Sequence, residues 1–328
     1  MTNRNSVRGA LEGYDRALPL AFLSACWWAK YAPRAKGWLP RRIGRTFGRN
    51  MTCCVRTRAG ARMAVDPVNL DFYCLVKLRN GVWEEDVLDA CLRVVQPGDV
   101  FYDIGANAGI LTLEVAQTFG DKVTVLAFEP QPTLARALVI SIALNGFQNV
   151  RLHQALLGDR QCETDLFIAD HGIHTSLVAR ETGATPLACR METLDALVAN
   201  DRLPLPTVIK IDVEGAELQV LRGARQTLRS SHPAIIFEAD ENMPRFGYTH
   251  RDLFKLLSEL GDYTFYHIDG SEMNPVNDPD SAALGNYVAL PPSRRSLLGL
   301  APHSADSSNL RPLGIAPLRS ISPYDRLA

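Results

Sequence analysis

From Val100 onward the chain alternates between two apolar patterns. Short runs rich in β-branched residues occur at Val100–Ile104, Lys122–Phe128, Val150–Leu156, Thr207–Ile211 and Ala234–Glu238. Between them, apolar residues recur at helical spacing over Ile110–Phe119, Thr133–Asn145 and Ala216–Leu228. A helix over Arg251–Leu260 and strands near Tyr263–Ile268 and Asn286–Leu290 complete the series. Such alternation predicts an α/β fold with a mostly parallel sheet covered on both faces. Val-Ile-Lys-Ile and Ala-Ile-Ile-Phe are nearly continuous in apolar character, as doubly buried strands should be. Residues 162–190 read as a β-hairpin insertion with a loop around Gly172–Ser176, and Val87, Leu88, Cys91, Leu92 and Val95 mark a leading helix ended by Pro97-Gly98-Asp99.

The same patterning divides the chain into three. Residues 1–65 read as a basic, partly helical arm that ends in a short strand pair around Cys53–Val65, and residues 66–292 form the α/β domain. Residues 293–328 are rich in Pro, Ser and Arg without periodicity and read as a disordered tail.

A net charge of -1 conceals an asymmetry. Residues 1–65 carry 13 Lys and Arg against Glu12 and Asp15, whereas residues 66–290 carry 17 against 32 acids. The arm therefore docks either on the protein's own acidic body or on an anionic partner such as a membrane. The apolar run Ala17–Ala29 is shorter than the ~20 residues that cross a bilayer. Its two tryptophans beside a basic stretch suit peripheral membrane contact through residues 17–62, with a helix packed on the domain as the alternative. Acids precede this run, unlike a signal peptide, so a cytoplasmic location is expected, membrane-peripheral if the arm docks there. Seven cysteines without a C-x-x-C pair give neither a metal-ligand set nor a disulfide framework. No nucleic-acid partner is expected.

Ligands of such sheets bind beyond the carboxyl ends of the strands. There the sequence has Asp103-Ile-Gly105-Ala-Asn107-Ala-Gly109, a small-residue turn between a strand and a helix, where backbone N–H groups lie open to a ligand. Glu129, at the end of the next strand and followed by Pro130, is placed to accept hydrogen bonds from both hydroxyls of a ribose. Asn107 and Ile110 stand where a dinucleotide fingerprint needs its second and third glycines, so a pyrophosphate is poorly served. An anionic Asp103 would repel pyrophosphate and attract a cationic sulfonium or ammonium. These features favour S-adenosyl-L-methionine over a nicotinamide cofactor. A nicotinamide-dependent oxidoreductase and a non-catalytic nucleoside-binding module are the competing readings.

At these residues the sequence resembles the FkbM methyltransferases. The matching stretches are Asp103–Gly109, Phe128-Glu-Pro-Gln-Pro132, Ala155-Leu-Leu-Gly-Asp159, Thr193-Leu-Asp195, Ile209-Lys-Ile-Asp-Val-Glu-Gly-Ala-Glu217, Val220-Leu-Arg-Gly223 and Asn286-Tyr-Val-Ala-Leu290, with Gly81-Val-Trp-Glu84 upstream. The resemblance implies a Rossmann-like seven-stranded methyltransferase sheet, mostly parallel with an antiparallel final strand. It also implies methyl transfer from S-adenosyl-L-methionine, usually to a hydroxyl oxygen of a sugar, glycan or natural product. His174-Thr-Ser-Leu177 departs from the small-residue pair that the family usually carries before the leucine.

In such a reaction, aligning the acceptor supplies ~7–11 kcal/mol and a general base ~3–5 kcal/mol. Candidates for the base are Asp212 and Glu214 after the fourth strand, Glu238 at the end of the fifth, and His174 in the insertion loop. Helix capping by Glu214 is the competing role. Asp212 is also a cofactor contact, and Ala155 and Leu156 are the expected adenine contacts. Lys210, mid-strand, should pair with a carboxylate. No metal is expected, a bridge between Asp212 and Glu214 being the weaker alternative. Asp103→Ala and Glu129→Ala are expected to weaken cofactor binding with little unfolding.

Overall fold

A computed structural model describes residues 53–65, 84–168, 175–177 and 185–299, together with the helical positions Ser24, Trp27, Trp28 and Tyr31. His174 and Trp83 lie outside the described residues. A hairpin comes first, β1 (Cys53–Arg56) against β2 (Arg62–Val65), followed by α1 (Glu85–Val94). The α/β succession runs β3 (Val100–Ile104), α2 (Ile110–Phe119), β4 (Thr124–Phe128), α3 (Pro132–Asn145) and β5 (Val150–His153). An insertion contributes β6 (Leu156–Leu157), β7 (Cys162–Ile168), β8 (Thr175–Ser176) and β9 (Thr185–Glu192), leading to α4 (Leu194–Asn200). Then follow β10 (Val208–Ile211), α5 (Glu217–Arg222), α6 (Arg225–Ser231), β11 (Ala234–Ala239), α7 (His250–Leu260), β12 (Thr264–Asp269), β13 (Glu272–Pro275) and β14 (Gly285–Leu290).

The central sheet has the order β13-β12-β14-β11-β10-β3-β4-β5. Strands β5, β4, β3, β10 and β11 pair in parallel, and β14 lies antiparallel between β11 and β12. The expected seven strands with an antiparallel last member are all present, and β13 adds an eighth at the edge. Alternate residues of each strand feed two cores. Tyr102, Ile104, Ile209, Ile211 and Phe237 face α5 and α7, while Phe101, Val125, Val208 and Ile236 face α1 and α2. The insertion forms its own small sheet in the order β6-β9-β7-β8, with Leu156, Leu166 and Met191 beneath it.

Two departures from the sequence reading have tertiary causes. The helix expected over Ala216–Leu228 is broken into α5 and α6 at Gly223, where any Cβ would overlap the carbonyl of Gly158. Asp195 then serves the new helix start, accepting from the Gln226 and Thr227 N–H groups at 2.9 and 2.8 Å. The second departure is a correction to the tail: residues 293–299, expected to be disordered, lie in a 3₁₀ helix (Pro292–Gly299) anchored by Arg294, which grips the carboxylate of Asp99 with both terminal nitrogens.

The described end of the arm sits on the acidic body. Arg58 meets Asp89 at 2.6 Å, the Ala59 N–H donates to buried Glu114 at 2.8 Å, and Asn145 on α3 accepts from the Arg62 N–H at 2.8 Å.

Candidate active site

A cavity of about 240 Å³ opens where β3, β4, β10 and β11 end at their carboxyl tips. A smaller hollow of about 110 Å³ adjoins it on the α1 side and shares Glu84, Asp212 and Glu238 as walls. Together they fall near the lower end of the roughly 300–1,000 Å³ typical of ligand pockets.

The turn after β3 forms one wall. Gly105 and Ala106 donate to the Phe128 carbonyl, each at 3.0 Å, and the positive φ of Gly105, Asn107 and Gly109 folds the backbone back on itself. Gly105 is required twice over: its φ is +76°, and a Cβ there would overlap the backbone oxygen of Asp212. Gly109 serves packing instead, because a Cβ would strike Leu138 on α3. It does not line the cavity.

Glu129 follows β4 and is 3% exposed. Its Oε2 accepts from the Asn107 N–H at 2.8 Å and its Oε1 from the Gln131 N–H at 2.9 Å. One lone pair on each oxygen is thus committed to backbone, which leaves the others toward the cavity. Burial pushes its pKa up to about 7, against the lowering effect of these two hydrogen bonds. Beside it Phe128, Pro130, Leu134, Ala155, Leu156, Leu166 and Leu177 make an apolar flank.

Asp103 stands elsewhere than the sequence placed it. It is fully buried beneath the cavity rather than on its wall, accepting from Thr112 Oγ1 at 2.6 Å. The register of β3 and β10 sets it opposite Lys210, whose Nζ lies 3.7 Å from Asp103 Oδ1 and 3.1 Å from Asp212 Oδ2 and donates to the Gly105 carbonyl at 3.2 Å. Burial alone would lower the Lys210 pKa, but Asp212, Asp103 and Glu84 outweigh it and hold the ammonium above its ordinary value. The expected pairing of Lys210 with a carboxylate is therefore present twice.

Asp212 and Glu214 both reach the cavity, by a different route than a continued strand. β10 stops at Ile211, and a left-handed Glu214 (φ 59°) before Gly215 (φ 98°) turns the chain so that both line the wall. Ala216, at the start of α5, brings no side-chain cap of its own. The loop is instead held by Glu217, wholly buried, whose Oε1 accepts from the Val213 N–H at 3.0 Å and the Gly215 N–H at 3.2 Å. Burial pushes the Glu217 pKa up to about 8. Glu238 completes the acidic wall with Asp240. Burial first, then Asp212 and Asp240, push the Glu238 pKa up to about 8. Glu84 is exposed as a residue yet stands between the two hollows, and desolvation followed by Asp212 pushes its pKa up to about 7.

The structure thus gathers Gly105, Asn107, Glu129, Pro130, Ala155, Leu156, Asp212, Glu214 and Glu238 around one cavity. Asp240 and Glu217 were not singled out as site residues from the sequence. Asp240 follows Glu238 by two, the spacing that returns a strand residue to the same face, and that signal was available. Among the described residues, no group of three or more His, Cys, Asp or Glu is arranged to hold a metal.

The Methyltransferase FkbM domain model matches residues 103–263. The Hexuronic acid methyltransferase AglP of Haloferax volcanii is 31% identical over 188 residues, covering 56% of this chain and 71% of that protein. The chain belongs to the FkbM methyltransferases. It is accordingly an S-adenosyl-L-methionine-dependent methyltransferase, which removes the nicotinamide-dependent reading. Methyltransferase 1 of Beauveria bassiana is 30% identical over 164 residues, covering 43% of this chain and 66% of that protein. Among solved structures, an FkbM methyltransferase from Methylobacillus flagellatus aligns with a TM-score of 0.40 at 17% identity, over 66% of this chain and 53% of that one, so the chain spans about half of that structure.

Proposed function

We propose that this enzyme methylates a hydroxyl oxygen of a sugar or glycan, and that the cavity at the strand tips holds both donor and acceptor. When bound, S-adenosyl-L-methionine supplies a methyl group already activated on a cationic sulfur. The residues present fit that molecule. Glu129 offers one free lone pair on each oxygen for the two ribose hydroxyls, while Asn107 and Gly105 bring backbone close to it. Ala155 and Leu156, with Phe128, Pro130 and Leu134, form the slot for a flat adenine. Asp212 and Glu84 give a negative field to the cationic end. Asp103 acts from below, fixing Lys210, which in turn fixes Asp212.

Three carboxylates, Glu214, Glu238 and Asp240, line the remaining wall and can only accept hydrogen bonds when ionised, which suits a polyhydroxylated acceptor. Of the candidate bases, Asp212 is tied to the Lys210 ammonium at 3.1 Å. Glu238 is the better base. Its pKa of about 8 lies close to operating pH, where an acceptor for a hydroxyl proton is most effective. The observation that carries this reading is the meeting of both hollows at Asp212 and Glu238, beside the Glu129 wall.

The test is formation of S-adenosylhomocysteine with a panel of hexosides, hexuronides and lipid-linked glycans, followed by mass spectrometry of the product. Methylation on a sugar oxygen supports the assignment; methylation on nitrogen or carbon, or donor binding without turnover on any hydroxylated acceptor, overturns it.

A further inference from the structure

Every residue lining the two hollows comes from Glu84 or later, so the arm contributes nothing to these described walls. What the arm does present is a helical segment with an unusual surface. Trp27 and Tyr31, one turn apart, are 63% and 61% exposed, the two most exposed large apolar side chains among the described residues. Their rings lie 5.7 Å apart and form one patch. Both are aromatic side chains with an apolar body and a polar tip, the kind that settles between hydrocarbon and headgroups.

The sequence from this patch onward carries charge of one sign. Residues 27–52 hold seven Lys and Arg (Lys30, Arg34, Lys36, Arg41, Arg42, Arg45 and Arg49) and no acid. Of the arm's described cations, Arg58 is already paired with Asp89. Residues 66–290 carry 32 acids against 17 Lys and Arg, so the body itself is repelled by an anionic surface, and the arm is the most basic part of the chain that can approach one. The apolar run Ala17–Ala29 is shorter than the ~20 residues that cross a bilayer, which favours lying on the surface as the mode of contact.

We propose that the Trp27–Tyr31 face, with the cations that follow it, docks the enzyme on an anionic lipid bilayer. The aromatic pair enters the interface and the Lys and Arg side chains cover lipid phosphates, attraction that falls off within a Debye length. Docked there, the enzyme shares a surface with hydroxylated acceptors carried on lipids. This inference concerns location and does not depend on which oxygen is methylated.

Co-sedimentation of the full chain with vesicles tests it, comparing phosphatidylcholine alone with phosphatidylcholine containing phosphatidylglycerol. Binding is expected only to the anionic vesicles, weakened by about tenfold or more when salt is raised to about 1 M, where the Debye length falls to about 3 Å. A Trp27→Ser/Tyr31→Ser variant should bind anionic vesicles at least about tenfold more weakly, and a Lys30→Glu/Arg34→Glu variant likewise. Both should bind S-adenosyl-L-methionine as the unaltered chain does, which separates this test from that of the methyl-transfer reading. Equal affinity for neutral and anionic vesicles, no binding to either, or unchanged binding by the aromatic variant would each overturn the proposal. So would a dimer in analytical ultracentrifugation that Trp27→Ser/Tyr31→Ser dissolves, since the patch would then be a contact between copies.

Discussion

Replacing Lys210 with Met isolates the ionic support beneath the cavity. The ammonium lies 3.1 Å from Asp212 and 3.7 Å from Asp103, but its loss affects the two differently. The Asp212 side chain is 29% exposed and can recover water; the Asp103 side chain is 1% exposed and cannot. Asp103 keeps only its bond from Thr112 and is left as a buried, uncompensated carboxylate. Stranding one partner of a buried pair costs about 3–5 kcal/mol. Against a total stability of roughly 5–15 kcal/mol that is a large share, worth on the order of 10 °C in Tm for a domain of this size. A second variant, Lys210→Met with Asp103→Asn, removes the stranded charge and should recover about half of the loss or more. Urea unfolding followed by tryptophan fluorescence at neutral pH measures both variants. A single-variant loss below about 1 kcal/mol at neutral pH, or a double variant no more stable than the single one, would refute this account.

Three further outcomes are expected. Glu129→Gln keeps the shape but replaces a charged acceptor with an amide that turns an NH₂ toward one backbone N–H; at about 1.5–3 kcal/mol for a charge-assisted bond, titration calorimetry should show ~10–150-fold weaker S-adenosyl-L-methionine binding, and unchanged affinity would displace the ribose from this wall. Glu238→Gln should lower kcat by ~10²–10⁴ with donor affinity nearly unchanged. In the unaltered enzyme kcat/KM should climb with pH through a midpoint near 8 and level off above it, as the Glu238 carboxyl ionises, and a variant that retains that climb would acquit this residue. Glu217→Gln tests the loop clasp: the folded Glu217 holds its proton up to about pH 8, from an ordinary value of 4.5, so its burial costs stability progressively as pH rises through that window. An amide makes the same two acceptor bonds without titrating, so the variant should gain on the unaltered chain by up to ~1.4 kcal/mol per pH unit there; parallel stability curves would show that Glu217 is not the titrating group.

The sheet was legible because its signal is redundant. Each parallel strand is an apolar run whose two faces feed separate cores, so Val208–Ile211 and Ala234–Phe237 announce themselves whatever their neighbours do. The strand Glu272–Pro275 was not, because a polar edge strand buries almost nothing and pairs through backbone alone. The break at Gly223 depends on Gly158, 65 residues away, and a break forced by tertiary contact leaves no mark in local periodicity. Residues 293–299 look structureless by composition, yet Arg294 on Asp99, Arg295 on Asp262 and Leu298 on the core dock them through partners distant in sequence. Of the motifs that carried the family resemblance, several prove to be architectural: Thr193 caps α4 through the Ala196 N–H, Asp195 caps α6, and Gly109 admits Leu138. Motif membership alone could not tell these from Glu129.

Asp103 is the instructive misplacement. As a strand-end acid it was assigned directly to the cation, with an alanine there expected to cost affinity and little stability. Alternation along β3 sends it to the α1 face with Phe101, not into the cavity with the turn that follows. Its charge reaches the site only through Lys210, and Lys210 spans both Asp212 and the Gly105 carbonyl. One buried ammonium therefore ties the end of β10 to the turn after β3, the two segments whose backbones already meet so closely that Gly105 tolerates no side chain. Stability and ligand geometry are for that reason inseparable at Asp103, Lys210, Asp212 and Gly105. A variant that spares one while losing the other belongs at Glu129 or Glu238, whose carboxylates face the cavity itself.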